Sequence, residues 1–401
     1  MSNLVTREDA LYIAASKLDI PPSKYKQAID RFNSMKSFLF EGEYEGARVS
    51  PDVYLQGSFK LGTEIRPFKN SKDADYDIDL VCQLGHEKSC SAPQTVKAQV
   101  GNRIKSNGTY ERLLDEEGKR CWTLNYAEGG NVGFHMDVLP AIAEIGLLAS
   151  PYSIAATNKD SNGDYSWTTS NPKGFAEWFY QRNRQAFRQS KRAQKQAIFN
   201  QQRQLYRSID DVPNIHVKTP LQRAIQLLKR HRDVRFSQSD VESYKPISMV
   251  ISVLAASCYQ NESSIYQTLQ NLITTLERQS RQLDAQFTYD QMNATSLYGI
   301  ITRTHDGKWV IINPANPGEN FADRWHEDNH ARAKAFFQWV SWLRDDLVNV
   351  IDYVESDLFT KSLIDVYKPS NLPVLNFQVA HKENVNWPIS IDPAYNATIK
   401  G

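Results

Sequence analysis

The sequence predicts an α+β fold in which a strand-bearing part precedes a helical one. Three observations predict it. The longest stretches alternating between apolar and polar residues, 76–84, 121–126 and 132–140, all lie ahead of residue 141, and period-2 alternation is the mark of a half-buried strand. Apolar residues at helical spacing surround them at 6–40, 92–107 and 175–208. Beyond Pro213 the strong periodicity is helical, at 219–233, 246–259, 263–283 and 329–357.

Composition bounds the problem. The chain has 401 residues, enough for two or three domains. Charged residues are 23% and hydrophobic residues 41%, ordinary for a globular protein. A net charge of +1 makes no global electrostatic case for nucleic acid or a membrane surface. No apolar run approaches bilayer length, and the acids Glu8, Asp9 and Asp19 argue against a signal peptide. Four scattered cysteines, Cys82, Cys90, Cys121 and Cys258, show no zinc or disulfide spacing. A reducing, cytoplasmic setting is expected.

The elements follow in order. Leu11, Ile13, Ala14 and Leu18 predict a first helix, and Pro21-Pro22-Ser23 opens a second, since proline suits a first turn. Residues 53–55 form a short strand leading into a Gly57-Ser58 turn. Residues 65–68 are extended, 69–75 form a polar loop, and 76–84 form the next strand. A helix is expected at 92–107, then a hairpin of 121–126 and 132–140 about Gly129-Gly130-Asn131. Residues 152–169 are polar and turn-rich and read as a lid or connecting loop.

A long helix then runs from Phe175 to about Ser208. It holds no acid between Glu177 and Asp210 but carries Arg182, Arg184, Arg188, Lys191, Arg192, Lys195, Arg203 and Arg207. Such a run is most often a solvated face; the sharper reading is an arm for polyphosphate, RNA or an acidic partner. From Tyr367 prolines and asparagines dominate, so residues 371–401 are expected to form an extended tail.

The chemistry centres on residues 56–80. In a strand, Asp77 and Asp79 share one face while Ile78, Leu80 and Cys82 pack on the other. Two carboxylates one strand repeat apart repel, and a cation relieves the repulsion. An oxygen-only ligand set suits Mg²⁺ or Mn²⁺. The Gly57-Ser58 turn offers backbone N–H groups and a hydroxyl to phosphate. A third acid, Asp137, sits mid-strand in an apolar segment, where Asp is depleted. If the hairpin strand lies beside the first, the three hold two metal ions for in-line displacement at phosphorus, with Asp137 accepting the hydroxyl proton. Asp75 reads as a loop residue before the strand. P-loop and dinucleotide-binding glycine motifs are absent.

Gln56-Gly57-Ser58, the Asp77-x-Asp79 pair and the later Asp137 resemble the nucleotidyltransferase superfamily of DNA polymerase β, poly(A) polymerase and CCA-adding enzymes. The fuller strings are more specific: Gly62-Thr63-x-Ile65-Arg66-Pro67, Met136-Asp137-Val138-Leu139-Pro140, Ser170-Asn171-Pro172-Lys173-Gly174 and Asn313-Pro314-x-Asn316-Pro317. They resemble bacterial CD-NTases, the cGAS/DncV-like enzymes of CBASS anti-phage systems. The resemblance implies a polymerase-β-like lobe with a mixed β-sheet (1–215), a helical C-terminal lobe (216–370) and an active site in the cleft. It implies Mg²⁺-dependent synthesis of a cyclic oligonucleotide, a cyclic dinucleotide in the first instance. The substrates would be NTPs (ATP, with UTP or GTP), and the messenger would activate a separate effector.

The resemblance also distributes roles. Ser58 and Gly57 would hold the triphosphate and Gln56 would line the donor pocket. Lys229 and Ser248 would face the β/γ phosphates, while Asn158 and Asn171 would reach the base edge. An E1/E2-like partner could act on the C-terminus at Gly401. The departure is the 69–75 insertion, long for the superfamily. Two other readings stay open: a template-independent RNA, tRNA or protein nucleotidyltransferase, which the basic helix keeps alive, and an inactive nucleotide-binding sensor.

Overall fold

The computed structural model describes residues 7–66, 68–69, 72–73, 75–128, 131–146, 149–237, 239–284 and 299–349. The chain divides into two compact units. The first comprises Asp19–Trp178 and Val310–Asp323; the second comprises Met1–Leu18, Phe179–Trp309 and Arg324–Gly401. The Gly129-Gly130 turn and the 371–401 tail with Gly401 lie outside the described residues.

The first unit begins with α2 (Pro22–Phe40), the helix after α1 (Arg7–Lys17). Pro22 occupies its first turn as the sequence predicts. β1 (Asp52–Leu55) follows, then the short helix α3 (Gly57–Leu61). A two-residue pair, β2 (Phe68–Lys69) and β3 (Lys72–Asp73), precedes β4 (Tyr76–Leu84). Then come α4 (Pro93–Lys105), α5 (Gly108–Leu113), β5 (Trp122–Glu128) and β6 (Asn131–Ala143). β7 (Ile154–Lys159) and β8 (Tyr165–Ser170) complete a sheet of order β1-β4-β6-β7-β8, with β5 also on β6. The sheet is mixed: β4 and β6 are parallel, and every other described pair in it is antiparallel.

The predicted strands are present, and three details differ. Lys69 and Lys72–Asp73, read as part of a polar loop, pair in β2 and β3. β6 runs three residues past Pro140, because Pro140 itself pairs in register with Cys82. Residues 152–169 are not a loop but mostly the β7–β8 hairpin. Its turn is fastened by Asp160 Oδ1, which accepts from the N–H groups of Asn162 (2.8 Å) and Asp164 (2.9 Å), with Gly163 at φ +92°. The strands were hidden because their residues are mostly small or polar; Thr157 opposite Trp167 is the one strong strand pair.

The core lies on one face of this sheet. Ile78, Leu80, Cys82 and Leu84 of β4 join Phe134, Met136, Val138 and Ile142 of β6, under Phe32, Met35 and Leu39 of α2 and Val96, Val100 and Ile104 of α4. This is the alternation read from sequence, now paired across two strands. The opposite face carries a smaller apolar cluster, Val81, Leu139, Ala141, Ile154 and Ala156, at one end only. Burial keeps the Cys82 thiol protonated, its pKa pushed up to about 12.

α6 (Pro172–Gln201) runs from the first unit into the second. In the second unit Arg182 donates to the carbonyls of Ala256 (2.9 Å), Ser257 and Tyr259, closing the end of α8 (Ser248–Cys258). Lys195 donates to Asp210 O at 3.3 Å. Two cations of the basic run therefore serve the fold. α7 (Pro220–Phe236) starts with a capping box of Thr219 and Gln222 and is buried along nearly its whole length. Glu8 of α1 accepts from the Ile265 and Tyr266 N–H groups (2.7 and 3.0 Å), capping α9 (Ile265–Asp284); its burial raises its pKa all the same.

Short strands β9 (Thr302–Arg303), β10 (Trp309–Val310), β11 (Ile312–Asn313) and β12 (Asn316–Asn320) precede α10 (Ala331–Leu343). α10 passes into one π-helical stretch, Arg344–Asn349. There Asp346 takes bonds from Arg235 and His231, and Trp339 donates to His231 Nδ1 at 3.1 Å. No described helix is long and apolar enough to cross a membrane.

Candidate active site

The face of the sheet away from the main core is polar at one end. Register aligns its residues into rows. Thr123 of β5, Asp137 of β6 and Asp79 of β4 are direct partners in one row. Asn125, His135 and Asp77 form the next. Below them Leu139 and Val81 pair, with Cys121 and Tyr54 packed against that apolar end. The parallel pairing of β4 with β6 brings Asp137 beside Asp79, the condition on which the sequence reading depended.

Each carboxylate has a distinct setting. Asp77 is open, its side chain 67% exposed, with His135 Nδ1 3.7 Å from Oδ1. His135 Nε2 stands 3.4 Å from Asp75 Oδ2, and Asp75 Oδ1 accepts the Gly133 N–H at 2.7 Å. Asp75 thus precedes β4, as the sequence suggests, and ties it to β6. Asp137 Oδ1 accepts the Thr123 hydroxyl at 2.5 Å. Burial, followed by the charges of Asp137 and Asp79, holds the Cys121 thiol well above its ordinary pKa. That one thiol feels both carboxylates follows from the row geometry.

Gly57 and Ser58 sit at the end of β1. The Gln56 N–H donates to Asp79 O at 2.9 Å, which carries β1's pairing with β4 as far as the carboxylate. Gly57 then turns with φ +63° and opens α3. A Cβ on Gly57 would stand 2.3 Å from Asp79 Oδ2. Only glycine allows the left-handed turn and the close approach together. Ser58 occupies the first turn of α3, where N–H groups have no intrahelical acceptor.

These residues suit a hard divalent cation in donor chemistry, and Gly57, lacking a Cβ, lets its backbone lie close against the Asp79 carboxylate. As they stand, no three His, Cys, Asp or Glu among the described residues converge to enclose a metal. Asp77, Asp79 and Asp137 share a face; their oxygens do not meet at one point.

The remaining candidates fall elsewhere. Asn158 is on β7, its amide donating to Ser166 Oγ at 3.3 Å across the hairpin. Asn171 is buried, 1% exposed, just before α6. Its Nδ2 donates to Pro151 O and Ala315 O, both 2.9 Å, and its Oδ1 accepts the Gly174 N–H at 2.8 Å. A Cβ on Gly174 would lie 2.6 Å from that amide, so the glycine of this motif makes room for its asparagine. Ser170 and Asn313 donate to half-buried Glu319 (2.8 and 2.7 Å), and Asn316 donates to Thr169 at 2.8 Å. Both asparagine motifs thus form one buried clasp within the first unit. Lys229 and Ser248 belong to the second unit. Lys229 is buried in mid-α7, not at its end; Ser248 opens α8 and accepts from Arg232 Nη1 at 3.1 Å.

Sequence reasoning did not single out Thr123, His135, or the amine pair Lys60 and Lys173. Burial, then the charge of Lys173, lowers the pKa of Lys60. Lys173 itself pairs with Asp52 and lies over the Tyr54 ring at 4.1 Å. The signal for Thr123 was present: Cys121, Thr123 and Asn125 alternate with apolar residues in the strand opposite Asp137.

Known proteins bear on this geometry. The Second Messenger Oligonucleotide or Dinucleotide Synthetase domain matches residues 13–183, a span holding all three carboxylates. A c-di-GMP synthase of Roseivirga ehrenbergii is 25% identical over 389 residues, 96% of this chain and 90% of that protein. The cyclic dinucleotide synthase CdnG of Bradyrhizobium diazoefficiens is 23% identical over 331 residues, 78% of this chain and 68% of that protein. The structure of that CdnG with GTP covers 90% of this chain and 98% of its own, at 18% identity and a TM-score of 0.62. An E. coli CdnC solved in complex with HORMA covers 91% of this chain and 98% of its own, at 13% identity and a TM-score of 0.56. The structural likeness shows the fold; the domain match and the two synthases carry the assignment. Residues 13–183 thus match a Second Messenger Oligonucleotide or Dinucleotide Synthetase domain, and the chain is a nucleotidyltransferase of the polymerase-β-like fold.

Proposed function

We propose that the chain joins two nucleoside triphosphates into a cyclic dinucleotide messenger, releasing pyrophosphate, in CBASS anti-phage defence. The observation that carries the reading is the in-register pair Asp79 and Asp137 beside the Gly57 turn. The two relatives described above, both named for cyclic dinucleotide synthesis, support the product class. The c-di-GMP name, with the GTP held by CdnG, favours GTP as at least one substrate, with ATP or UTP as alternatives for the other. The messenger would act on a separate effector. The HORMA complex of CdnC makes a protein partner part of the proposal.

Each residue has a task. Asp77, Asp79 and Asp137 would hold Mg²⁺, two ions at full occupancy, or Mn²⁺ in its place. Bound there, the ions would supply positive charge to the phosphoryl oxygens and lower the pKa of the attacking hydroxyl. The Gly57 and Ser58 N–H groups and the Ser58 hydroxyl would bind the triphosphate, with Gln56 beside it. Asp137 would accept the hydroxyl proton. Lys229 and Ser248 are assigned to the β/γ phosphates and Asn158 to a base edge. Asn171, with its amide fully engaged, would act on the base only through the clasp it holds.

The test is incubation of purified protein with α-³²P-labelled GTP, ATP, UTP and Mg²⁺, without added nucleic acid. Phosphatase treatment, mass spectrometry and nuclease digestion of the product follow. The expected outcome is a phosphatase-resistant cyclic dinucleotide containing guanine. Label in RNA, tRNA or protein instead, or no turnover, would overturn the reading.

A further inference from the structure

We infer that Thr123 is a positioning residue for Asp137, orienting that carboxylate for the divalent ion. The inference rests on the metal role proposed above. Thr123 and Asp137 are direct partners across the β5–β6 ladder, and Thr123 Oγ1 donates to Asp137 Oδ1 at 2.5 Å. A hydroxyl donating to an ionised carboxylate makes one of the stronger, shorter hydrogen bonds. The pair is part-buried, so water competes with it less than at an open surface.

Threonine suits the task physically. Its branched Cβ restricts χ1, so little freedom is lost when the bond forms. The donated proton satisfies one oxygen of Asp137 and sets the plane of the carboxyl group. It also withdraws charge from a group that faces Asp79 in the same row. Both effects favour a carboxylate already arranged for a cation over one that must turn toward it. The other side chain at a carboxylate's register position is His135, opposite Asp77. His135 lies 3.7 Å from Asp77 Oδ1, whereas the Thr123 contact is a true hydrogen bond. Outer hydrogen bonds to metal-binding carboxylates are worth about 10–100-fold in metal affinity.

Thr123→Val keeps the shape and the strand preference while removing the donor; Thr123→Ser keeps the donor. Mn²⁺ binding is read by the EPR signal of free Mn²⁺, without nucleotide, for wild type, both variants and Asp137→Asn, with circular dichroism to verify folding. The expected result is about 10–100-fold weaker Mn²⁺ binding in Thr123→Val, recovered in Thr123→Ser. The metal concentration at half-maximal rate should rise likewise, with little change in kcat at saturating metal. Normal binding by Thr123→Val while Asp137→Asn binds weakly overturns the role of Thr123 alone. Normal binding by Asp137→Asn overturns the metal assignment beneath it. Should Thr123→Val fail to fold, Thr123→Ala takes its place with the same readings.

Discussion

The carboxylate row and the asparagine clasp are both motif-rich and polar, yet their environments are opposite. Asp77 is 67% exposed, and Asp79 and Asp137 are half-buried on a sheet face that is polar at their end. Asn171, Asn313 and Asn316 are buried, and Glu319 receives bonds from Ser170 and Asn313. In the clasp, amide and carboxylate groups answer one another, as buried polar groups must. In the row, three carboxylates share one face, with His135 Nδ1 3.7 Å from Asp77 and the Thr123 hydroxyl on Asp137. The difference teaches that polar motif residues divide into those that bind outward and those that hold the chain. Burial, rather than residue type, divides them.

Three substitutions put the comparison under strain. The largest effect is expected from Asp79→Asn. On the metal role proposed above, losing this ligand would remove several kcal/mol of transition-state stabilisation, on the order of 10³-fold in kcat. Because the change also removes like-charge repulsion, the thermal midpoint should hold or rise. Rate by product assay and midpoint by calorimetry decide; a normal rate would place Asp79 among the structural residues.

Asn171→Ala should do the reverse. It leaves the carbonyls of Pro151 and Ala315 without their donor, at about 1–3 kcal/mol for each that stays buried and unpaired. A drop of several degrees in midpoint is expected, with the rate per folded molecule largely kept. A collapse of kcat with an unchanged midpoint would show that Asn171 acts on substrate directly.

The smallest effect is a pH profile. Burial raises the pKa of Glu319 despite its bonds from Asn313 and Ser170. A carboxyl whose folded pKa exceeds its unfolded one contributes stability fully present below the unfolded value. That contribution is lost as pH rises through the folded value. The wild-type midpoint should therefore contain a term that declines from its acid level toward neutrality, and Glu319→Gln should lack it. Identical profiles for the two proteins would mean that Glu319 is ionised in the clasp as readily as in the unfolded chain.

The strands bearing Asp77, Asp79 and Asp137 were legible because alternation, apolar on one side and polar on the other, is itself a statement about burial. So were α2, with proline at its start, and the helical periodicity of α7. The β7–β8 hairpin was not legible, because residues such as Ser166, Asn158 and Ala155 have no strong strand preference; cross-strand partners decide them. Asn171 and Asp77 look equally suited to a ligand when only residue type and order are known.

The sequence by itself determined that three carboxylates occur in strand contexts, that two of them share a face, and that a glycine-serine turn precedes them. Tertiary structure alone decided the rest. It set β4 parallel to β6 in the register that pairs Asp79 with Asp137. It brought Gly57 against Asp79 and Thr123 onto Asp137, and it buried the two asparagine motifs in each other. The physical reason is range. Alternation is a property of neighbours one or two residues apart. Register and burial depend on pairings between residues such as Thr169 and Asn316, far apart along the chain, and only the folded chain brings them together.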